Sequence, residues 1–462
     1  MNQPKPTNQA SAGHLLRLIR RGQAGTRGEL QRVTGLSRST VSARLDQLFR
    51  AGWVREHAGD PVADPTGGRP AVRLEFDGSH AVVLVADLET RNARVAVLDL
   101  GGEVLAEHAG RLLIDDGPAV VLDRLGAWFA ELLTKAGTGM EKVCGVGLSV
   151  PGPVDFASGE IVQPPMMPGW DGFPVREALR AALLRHAGGG AGGRAGEGAV
   201  EGELPVLIEN DANVMAYAEQ RLGFPDCSAF LLVKVSTGIG AGVVVDGEMY
   251  RGIDGGAGDI GHIRLSGFPD ALCRCGSYGC LAAVASGRAL AEQLTAAGVP
   301  TASGSGVRDQ LAIGQPDAVR LARAAGRQVG EVLATVVTLL NPGVLVIAGD
   351  LAGPPFLTGV RELLYQRAMP RTTAELQVVT GRLGDRAGLA GAGAMVVEYL
   401  YAPDRADARL AARAEARDAP DTPAVPDAPE GRSARDVREL RHAGDGPAVQ
   451  SGPAATPFLP GR

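Results

Sequence analysis

The sequence predicts an α/β protein in two parts. A winged helix-turn-helix comes first, and a larger α/β body of two lobes with a cleft between them follows. Three observations carry this. Residues 14–52 hold three short helical patterns, with the turn T-G-L-S before the third. From Ala81 onward strand and helix patterns alternate, and a set of strands, hairpin and crossover helices with a glycine-rich turn occurs twice. Between Gly258 and Ala282 one histidine and three of the chain's five cysteines share a single loop.

In the first segment Leu15, Leu18 and Ile19 fall at helical spacing and Gly22 stops the helix. Thr26 and Glu29 form a capping box that opens a second helix. Ser37 is placed to cap the third, with Leu36 stapling onto Val41. That third helix turns Val41, Leu45 and Leu48 inward. Its outer face and first turn offer Arg38, Ser39, Thr40, Ser42 and Arg44. W-V-R-E and R-P-A-V-R-L-E-F then read as two strands of a wing, with Arg69 near its base. The third helix of such a unit enters the major groove N-terminus first. Residues 1–60 carry ten Lys/Arg against four acids, a local surplus of about six positive charges on a chain of net charge −6. A phosphate backbone selects for such a patch. Arg38, Ser39, Thr40, Ser42, Arg44 and Arg69 are therefore the candidate DNA contacts; a helical bundle used for dimerisation is the alternative.

At 462 residues the chain is long enough for several cores. Residues 1–76 are assigned to the DNA-binding part, 77–208 to the first lobe and 209–401 to the second. Gly188–Gly202 reads as a floppy Gly/Ala/Glu insertion, taken with its edge as 188–203. Residues 402–462 read as a disordered tail. No apolar stretch suits a signal peptide or a membrane span, so a cytoplasmic location is expected.

In the body, P-V-L-I-E-N-D is a buried strand that delivers Glu209, Asn210 and Asp211 to its C-terminal end, where ligands collect in such sheets. The loop carries His262, Cys273, Cys275 and Cys280, the cysteines spaced C-x-C-x4-C. One imidazole and three thiolates match a closed tetrahedral site, hence a structural zinc rather than a catalytic one. An odd number of cysteines in a cytosolic-looking chain argues against a disulfide.

These motifs resemble the ROK family (repressors, open reading frames and sugar kinases) across roughly residues 14–400. The resemblance rests on E-N-D-A-N at 209–213, S-T-G-I-G-A-G at 236–242, G-D-I-G-H at 258–262 and C-R-C-G-S-Y-G-C at 273–280. P-G-P-V-D at 151–155, P-G-W at 168–170 and T-G-G-R-P at 66–70 add to it. It implies an actin-like (ribonuclease H-like) two-lobed fold, a sugar pocket in the cleft and a homodimer or homotetramer. It also implies sugar contacts from Asn210, Asp211, Asp259 and His262, with Asp211 at the place of the base in the family's kinases. Two positions depart from the pattern. Asp259 stands where glutamate is usual, drawing the carboxylate back by about 1.5 Å. Ala282 stands where a second glutamate is usual, and a sugar hydroxyl left unpaired there costs about 1–3 kcal/mol.

The family's kinases also need D-x-G-G-T in the first hairpin. Here it reads Asp87-Leu88-Glu89-Thr90-Arg91, with both glycines gone and a carboxylate where polyphosphate would lie. At roughly 4 Å and an effective dielectric of about 20, two like charges repel by about 4 kcal/mol. Asp350 likewise replaces a glycine near the nucleoside side. Phosphoryl transfer is mostly positioning and charge neutralisation, so no catalytic residue is expected and Asp211 is a vestigial base. The expected protein is a sugar-responsive regulator, a repressor binding operator DNA and a sugar or sugar-phosphate effector. Two alternatives stand beside it. One is an ATP-dependent, glucokinase-like sugar kinase with an appended DNA-binding domain; the other is a regulator governed by a protein partner.

Overall fold

The computed structural model describes residues 10–62, 71–188 and 204–418. Arg69, most of the 188–203 insertion and residues 419–462 lie outside these. The described residues up to Ala414 belong to one packed unit.

The first three helices are α1 (Ala12–Arg20), α2 (Arg27–Thr34) and α3 (Arg38–Arg50). Thr26 and Ser37 cap α2 and α3 as expected: the Thr26 hydroxyl accepts from the Glu29 amide, and the Ser37 hydroxyl from Thr40. Glu29 reaches back to the Gly25 amide at 2.8 Å, one residue short of the ideal capping box. Strands β1 (Val54–Val62) and β2 (Ala71–Phe76) pair antiparallel as the wing.

The first lobe holds β3 (Val82–Leu88), β4 (Asn92–Asp99), β5 (Val104–Arg111), helix α4 (Pro118–Lys135) and β6 (Val143–Val150). The short strands β7 (Val154–Asp155) and β8 (Glu160–Ile161), helix α5 (Val175–His186) and β9 (Val206–Asn210) complete it. Helix α6 (Asp211–Ala218) leads to the second lobe, which has β10 (Ala229–Val235), β11 (Ile239–Val245) and β12 (Glu248–Tyr250). Next come α7 (Leu281–Ala285), α8 (Gly287–Ala296), α9 (Gly304–Ala312), α10 (Pro316–Leu340) and β13 (Val344–Ala348). The chain continues with α11 (Pro354–Arg367), α12 (Pro370–Thr373), β14 (Gln377–Thr380), α13 (Ala387–Leu400) and α14 (Pro403–Asp418).

The duplication is literal. One five-stranded sheet runs β5-β4-β3-β6-β9 and the other β12-β11-β10-β13-β14. In each, three antiparallel strands at one side meet two parallel strands at the other. The central strands β3 and β10 are apolar almost throughout because both of their faces are covered.

Two boundaries differ from expectation. Helix α13 packs on β3, β6 and α6, so it closes the first lobe's sheet although it follows the second lobe in sequence. Small residues permit this. A Cβ on Gly391 would meet the Val214 carbonyl oxygen at 2.1 Å, and one on Gly388 would meet Asp87 Oδ2 at 2.0 Å.

The expected disordered tail also begins too early at 402, since 403–418 form α14. Its sequence lacks a long apolar stripe, and its seat is built largely from arginine on aromatic rings. The Arg409 guanidinium lies 4.9 Å from the Trp53 ring centre and 4.7 Å from that of Tyr401, and Arg413 lies 5.3 Å from Trp53. Each such stack contributes about 0.5–2 kcal/mol. Asp407 accepts from the Gly13 amide at 2.8 Å, and Arg413 donates to the Ala51 carbonyl at 2.9 Å.

The N-terminal three-helix and wing part thereby shares one core with the first lobe, through Trp53, Phe76 and Tyr401. Glu398, near the end of α13, pairs with Arg20 at 3.3 Å, Arg21 at 3.0 Å and Arg221 at 3.7 Å. Arg21 also reaches Glu248 on β12 at 2.6 Å. His80 joins this joint by bonding the Tyr401 hydroxyl at 2.6 Å. None of the described helices is long and apolar enough to cross a membrane.

Candidate functional site

The cleft lies where the central strands of the two sheets end. Its walls include Glu89, Thr90 and Arg91 from the first hairpin, Asn210 and Asp211 from the start of α6, and the Ser236–Gly240 turn. Asp259, His262, Ala282 and Asp350 complete them. The structure thus brings together Glu89–Arg91, Asn210, Asp211, Asp259, His262, Ala282 and Asp350 from segments far apart in sequence, while Asp87 and Leu88 of the same hairpin do not line the cleft.

Glu209 is buried and fully used. One oxygen accepts from the Asn210 amide and the Asn213 side chain, both at 3.0 Å, and the other takes the Arg251 guanidinium at 2.5 Å. It is therefore the brace of E-N-D-A-N. Asn210 is the helix cap: its Oδ1 accepts from the amides of Ala212 and Asn213, and its Nδ2 donates to the Gly152 carbonyl at 3.0 Å. The cap fixes Asp211 as the first helical residue, its carboxylate in the cleft.

Asp211 is not a free carboxylate. Lys234, at the end of β10, donates to its Oδ2 at 2.6 Å, and both side chains are 12% exposed. Sequence reasoning passed over this lysine, although a lone lysine in the apolar strand A-F-L-L-V-K-V requires a partner. Burial alone pushes an ammonium down. Asp211 and Asp87, with Glu89, nonetheless hold Lys234 above the ordinary lysine range. Asp87 lies behind the pair, 7% exposed, its Oδ1 accepting from the Ser149 hydroxyl at 2.6 Å. Burial raises its carboxyl to about 6 against the pull of Lys234.

On the phosphate side the hairpin carries no glycine between Asp87 and Arg91, and its backbone stays out of the left-handed region. Thr90 Oγ1 lies 3.1 Å from Thr237 Oγ1, so the first lobe's hairpin touches the second lobe's turn directly. Asp350 is tied down by its amide donating to the Ser236 hydroxyl at 3.1 Å and by Arg308 at 3.4 Å. The mouth is stitched by side chains and bears the Glu89 carboxylate. It is not a cradle for polyphosphate.

One ligand atom each of His262, Cys273, Cys275 and Cys280 lies within 4.8 Å of all the others. Cys273 Sγ is 3.8 Å from His262 Nδ1, and Cys275 Sγ is 3.8 Å from Cys280 Sγ. Gly276 and Gly279 take positive φ, 84° and 76°, which folds the loop tightly enough for the sulfurs to meet. Burial and the neighbouring thiols push Cys280 up to about 12, while the Ser277 amide and the other thiols outweigh burial and bring Cys275 to about 7. Three sulfurs and an imidazole nitrogen so close together could all be deprotonated only around a cation, so the donor set fits a metal ion.

At the other end of the molecule, Arg38 and Ser39 are exposed at the first turn of α3, and Thr40 and Ser42 are half-buried beside them. The Ser37 hydroxyl holds those of Ser39 and Thr40 at 2.9 and 2.8 Å. Arg44 has a packing role as well, since its Nε donates to the Ala10 carbonyl at 2.9 Å.

Comparison with known proteins adds the following. Residues 200–398 match the ROK family, and residues 12–58 match the IclR helix-turn-helix domain. The chain is 27% identical over 388 residues to the xylose repressor of Caldicellulosiruptor bescii, covering 80% of this chain and 91% of that one. It is similar to the crystal structure of a ROK family transcriptional regulator, a homologue of the E. coli MLC protein. That match has a TM-score of 0.68 at 25% identity, over 87% of this chain and 98% of the other. The ROK hexokinase from Thermus thermophilus matches at 32% identity with a TM-score of 0.52, over 70% of this chain and 99% of its own.

Proposed function

The chain belongs to the ROK family, and from that premise we propose that it is a sugar-responsive transcriptional regulator, acting as a repressor. One juxtaposition carries this reading. A helix-turn-helix with an exposed Arg38–Ser39 helix start shares a core with a body whose cleft keeps Asn210, Asp211, Asp259 and His262 and has lost its phosphate hairpin. The xylose repressor and the MLC homologue support it, because the matches cover 80% and 87% of this chain and 91% and 98% of theirs.

In this reading Arg38, Ser39, Thr40, Ser42, Arg44 and Arg69 contact operator DNA. Two copies of the chain, in a homodimer or homotetramer, place two recognition helices on successive half-sites. A sugar or sugar derivative enters the cleft, where the open Asp211 oxygen, Asp259, Asn210 and His262 accept or donate to its hydroxyls. Ala282 offers no acceptor, so the preferred sugar differs from that of members with a glutamate there. Binding shifts the reader only if the sugar favours one lobe arrangement over the other. The metal is zinc, held by His262, Cys273, Cys275 and Cys280; it fixes the loop and aims the histidine ring. Metal analysis of native protein finding no zinc would refute that assignment.

A second reading, a sugar kinase with an appended reader, draws on the hexokinase match and on Asp211. Glu89 in the hairpin and Lys234 on Asp211 both oppose it. The deciding experiment is operator binding by the full chain across a panel of sugars, with a coupled assay for ADP in parallel. Operator release by one sugar without ADP is expected. Arg38→Ala is expected to weaken operator binding by about tenfold, in line with about 1–3 kcal/mol for a lost base contact, while melting stays unchanged. Sugar-dependent ADP formation, or unchanged operator binding by Arg38→Ala, refutes the respective part.

A further inference from the structure

One wall of the cleft is apolar, and hydroxyl recognition does not account for it. Two loops of the first lobe build it: the turn Pro151-Gly152-Pro153 after β6, and Gln163–Met166 after β8. Pro151, Pro153, Pro165 and Met166 line the cavity, each half-buried. The wall stands next to Asn210, whose Nδ2 donates to the Gly152 carbonyl at 3.0 Å. The two loops are packed on one another, since a Cβ on Gly152 would meet Met167 Sδ at 2.8 Å and Pro164 Cβ at 3.2 Å. The Val162 amide donates to the Pro153 carbonyl at 3.1 Å, and the Gln163 amide to Asp171 Oδ1 at 2.6 Å. Gln163 is held at a φ of 43°, in the left-handed region that glutamine seldom adopts. Backbone of this kind persists only where its surroundings fix it, as they do in ligand clamps. Such a wall has little to give a hydroxyl. Proline has no N–H, so positions 151, 153 and 165 supply no backbone donor. The Gly152 and Pro153 carbonyls already accept. Asn210 keeps one N–H, because its Oδ1 takes two amides and its other Nδ2 hydrogen goes to Gly152. From the second lobe Ala282 adds a further methyl to the same cavity.

We propose that the effector is a methyl-bearing sugar, a 6-deoxy or an N-acetyl derivative, whose methyl group packs on Pro165 and Met166 while its hydroxyls meet Asp211, Asp259 and His262. The inference rests on the reading of the cleft as an effector site, and it names the class of sugar. A hydroxyl turned toward this wall is desolvated without a partner. A methyl group in the same place leaves water for an apolar surface. Because both loops are already braced, little ordering is needed when the sugar arrives. One methyl in an apolar pocket discriminates by about 10–200-fold.

The test is calorimetric titration of the full chain with matched sugars. Glucose, galactose and mannose are each compared with their 6-deoxy analogue. Their 2-acetamido-2-deoxy derivatives are compared with the 2-formamido analogues, which lack only the methyl. In one series the methyl-bearing member is expected to bind at least about tenfold more tightly, and the series that shows it tells a deoxy sugar from an N-acetyl one. Met166→Gln, close in size but polar, is expected to lose most of that preference, whereas Met166→Leu keeps it. Equal affinity within every pair, preference for the methyl-free member, or an undiminished preference in Met166→Gln overturns the proposal and leaves the effector reading standing. Heat from no sugar in the panel overturns both. Should Met166→Gln melt below wild type, the wild-type pairs and Met166→Leu decide by themselves.

Discussion

Two clusters of buried charge sit at opposite ends of α13, and they are built on opposite balances. At the cleft end Lys234 pairs with Asp211 at 2.6 Å and feels the charge of Asp87 and Glu89, so carboxylates outnumber the cation. At the joint end Glu398 serves Arg20, Arg21 and Arg221, so cations outnumber the carboxylate. Residues 388 and 398 are about 15 Å apart along the helix. The difference teaches what each end is for. A carboxylate-rich pocket leaves acceptors over for the hydroxyls of a ligand. An arginine-rich joint with a shared carboxylate leaves no acceptor over for a ligand, and it clamps α1, α13 and the segment after α6 together. Arg21 extends that clamp to β12 of the second lobe. The reader is thus bonded to both lobes.

The comparison is broken most severely by removing Glu398. Arg20, whose side chain is 4% exposed, then keeps its burial and loses its counter-ion. Glu398→Ala is expected to cost about 3 kcal/mol in denaturant unfolding, the low end for a broken buried pair because Glu398 is 20% exposed. A loss below about 1 kcal/mol would mean the joint is held by Trp53, Phe76 and Tyr401 alone. Next comes Gly388→Ala at the cleft end. Its new methyl must displace Asp87 or α13, and overpacking of this kind costs about 1–3 kcal/mol. Unchanged stability would show that Asp87 swings aside freely, against the close packing described above.

The smallest effect is one of pH, and it separates the two ends by sign. Asp87 titrates at about 6 in the fold, above the ordinary value of 3.8, so its contribution is favourable at low pH and is lost as pH rises through about 6. For Glu398, burial acts to raise the carboxyl, but Arg20, Arg21 and Arg221 outweigh it and hold the group below the ordinary 4.5. Its contribution is present above about 4.5 and is lost as pH falls through the folded value. Asp87→Asn is expected to remove the downward slope of stability between about pH 4 and 6, a change of at most about 1.4 kcal/mol per pH unit. An identical slope in the variant would assign that titration to another group.

Much of this was legible before the structure. Caps at Thr26 and Ser37, the zinc-like spacing of Cys273, Cys275 and Cys280, the end of the E-N-D strand and the glycine-free hairpin at Asp87–Arg91 are all local patterns. Their physics acts over a few residues. Lys234 was hidden because a single lysine at a strand end is common, and only its surroundings show that it is buried. Helix α14 was hidden because its stabilising rings, Trp53 and Tyr401, are not in it, so no apolar periodicity marks it.

By itself, then, the order of residues determined the reader, the duplicated α/β body, the metal-type loop and the loss of the phosphate hairpin. Tertiary structure alone decided the partners of the buried charges. Arg20 and Glu398 are 378 positions apart, and His80 and Tyr401 are 321. The reason is physical. A cap or a ligand spacing is satisfied within one turn of chain, whereas a buried charge is satisfied by whatever opposite charge the folded core brings within about 3 Å, and that is a property of the packing.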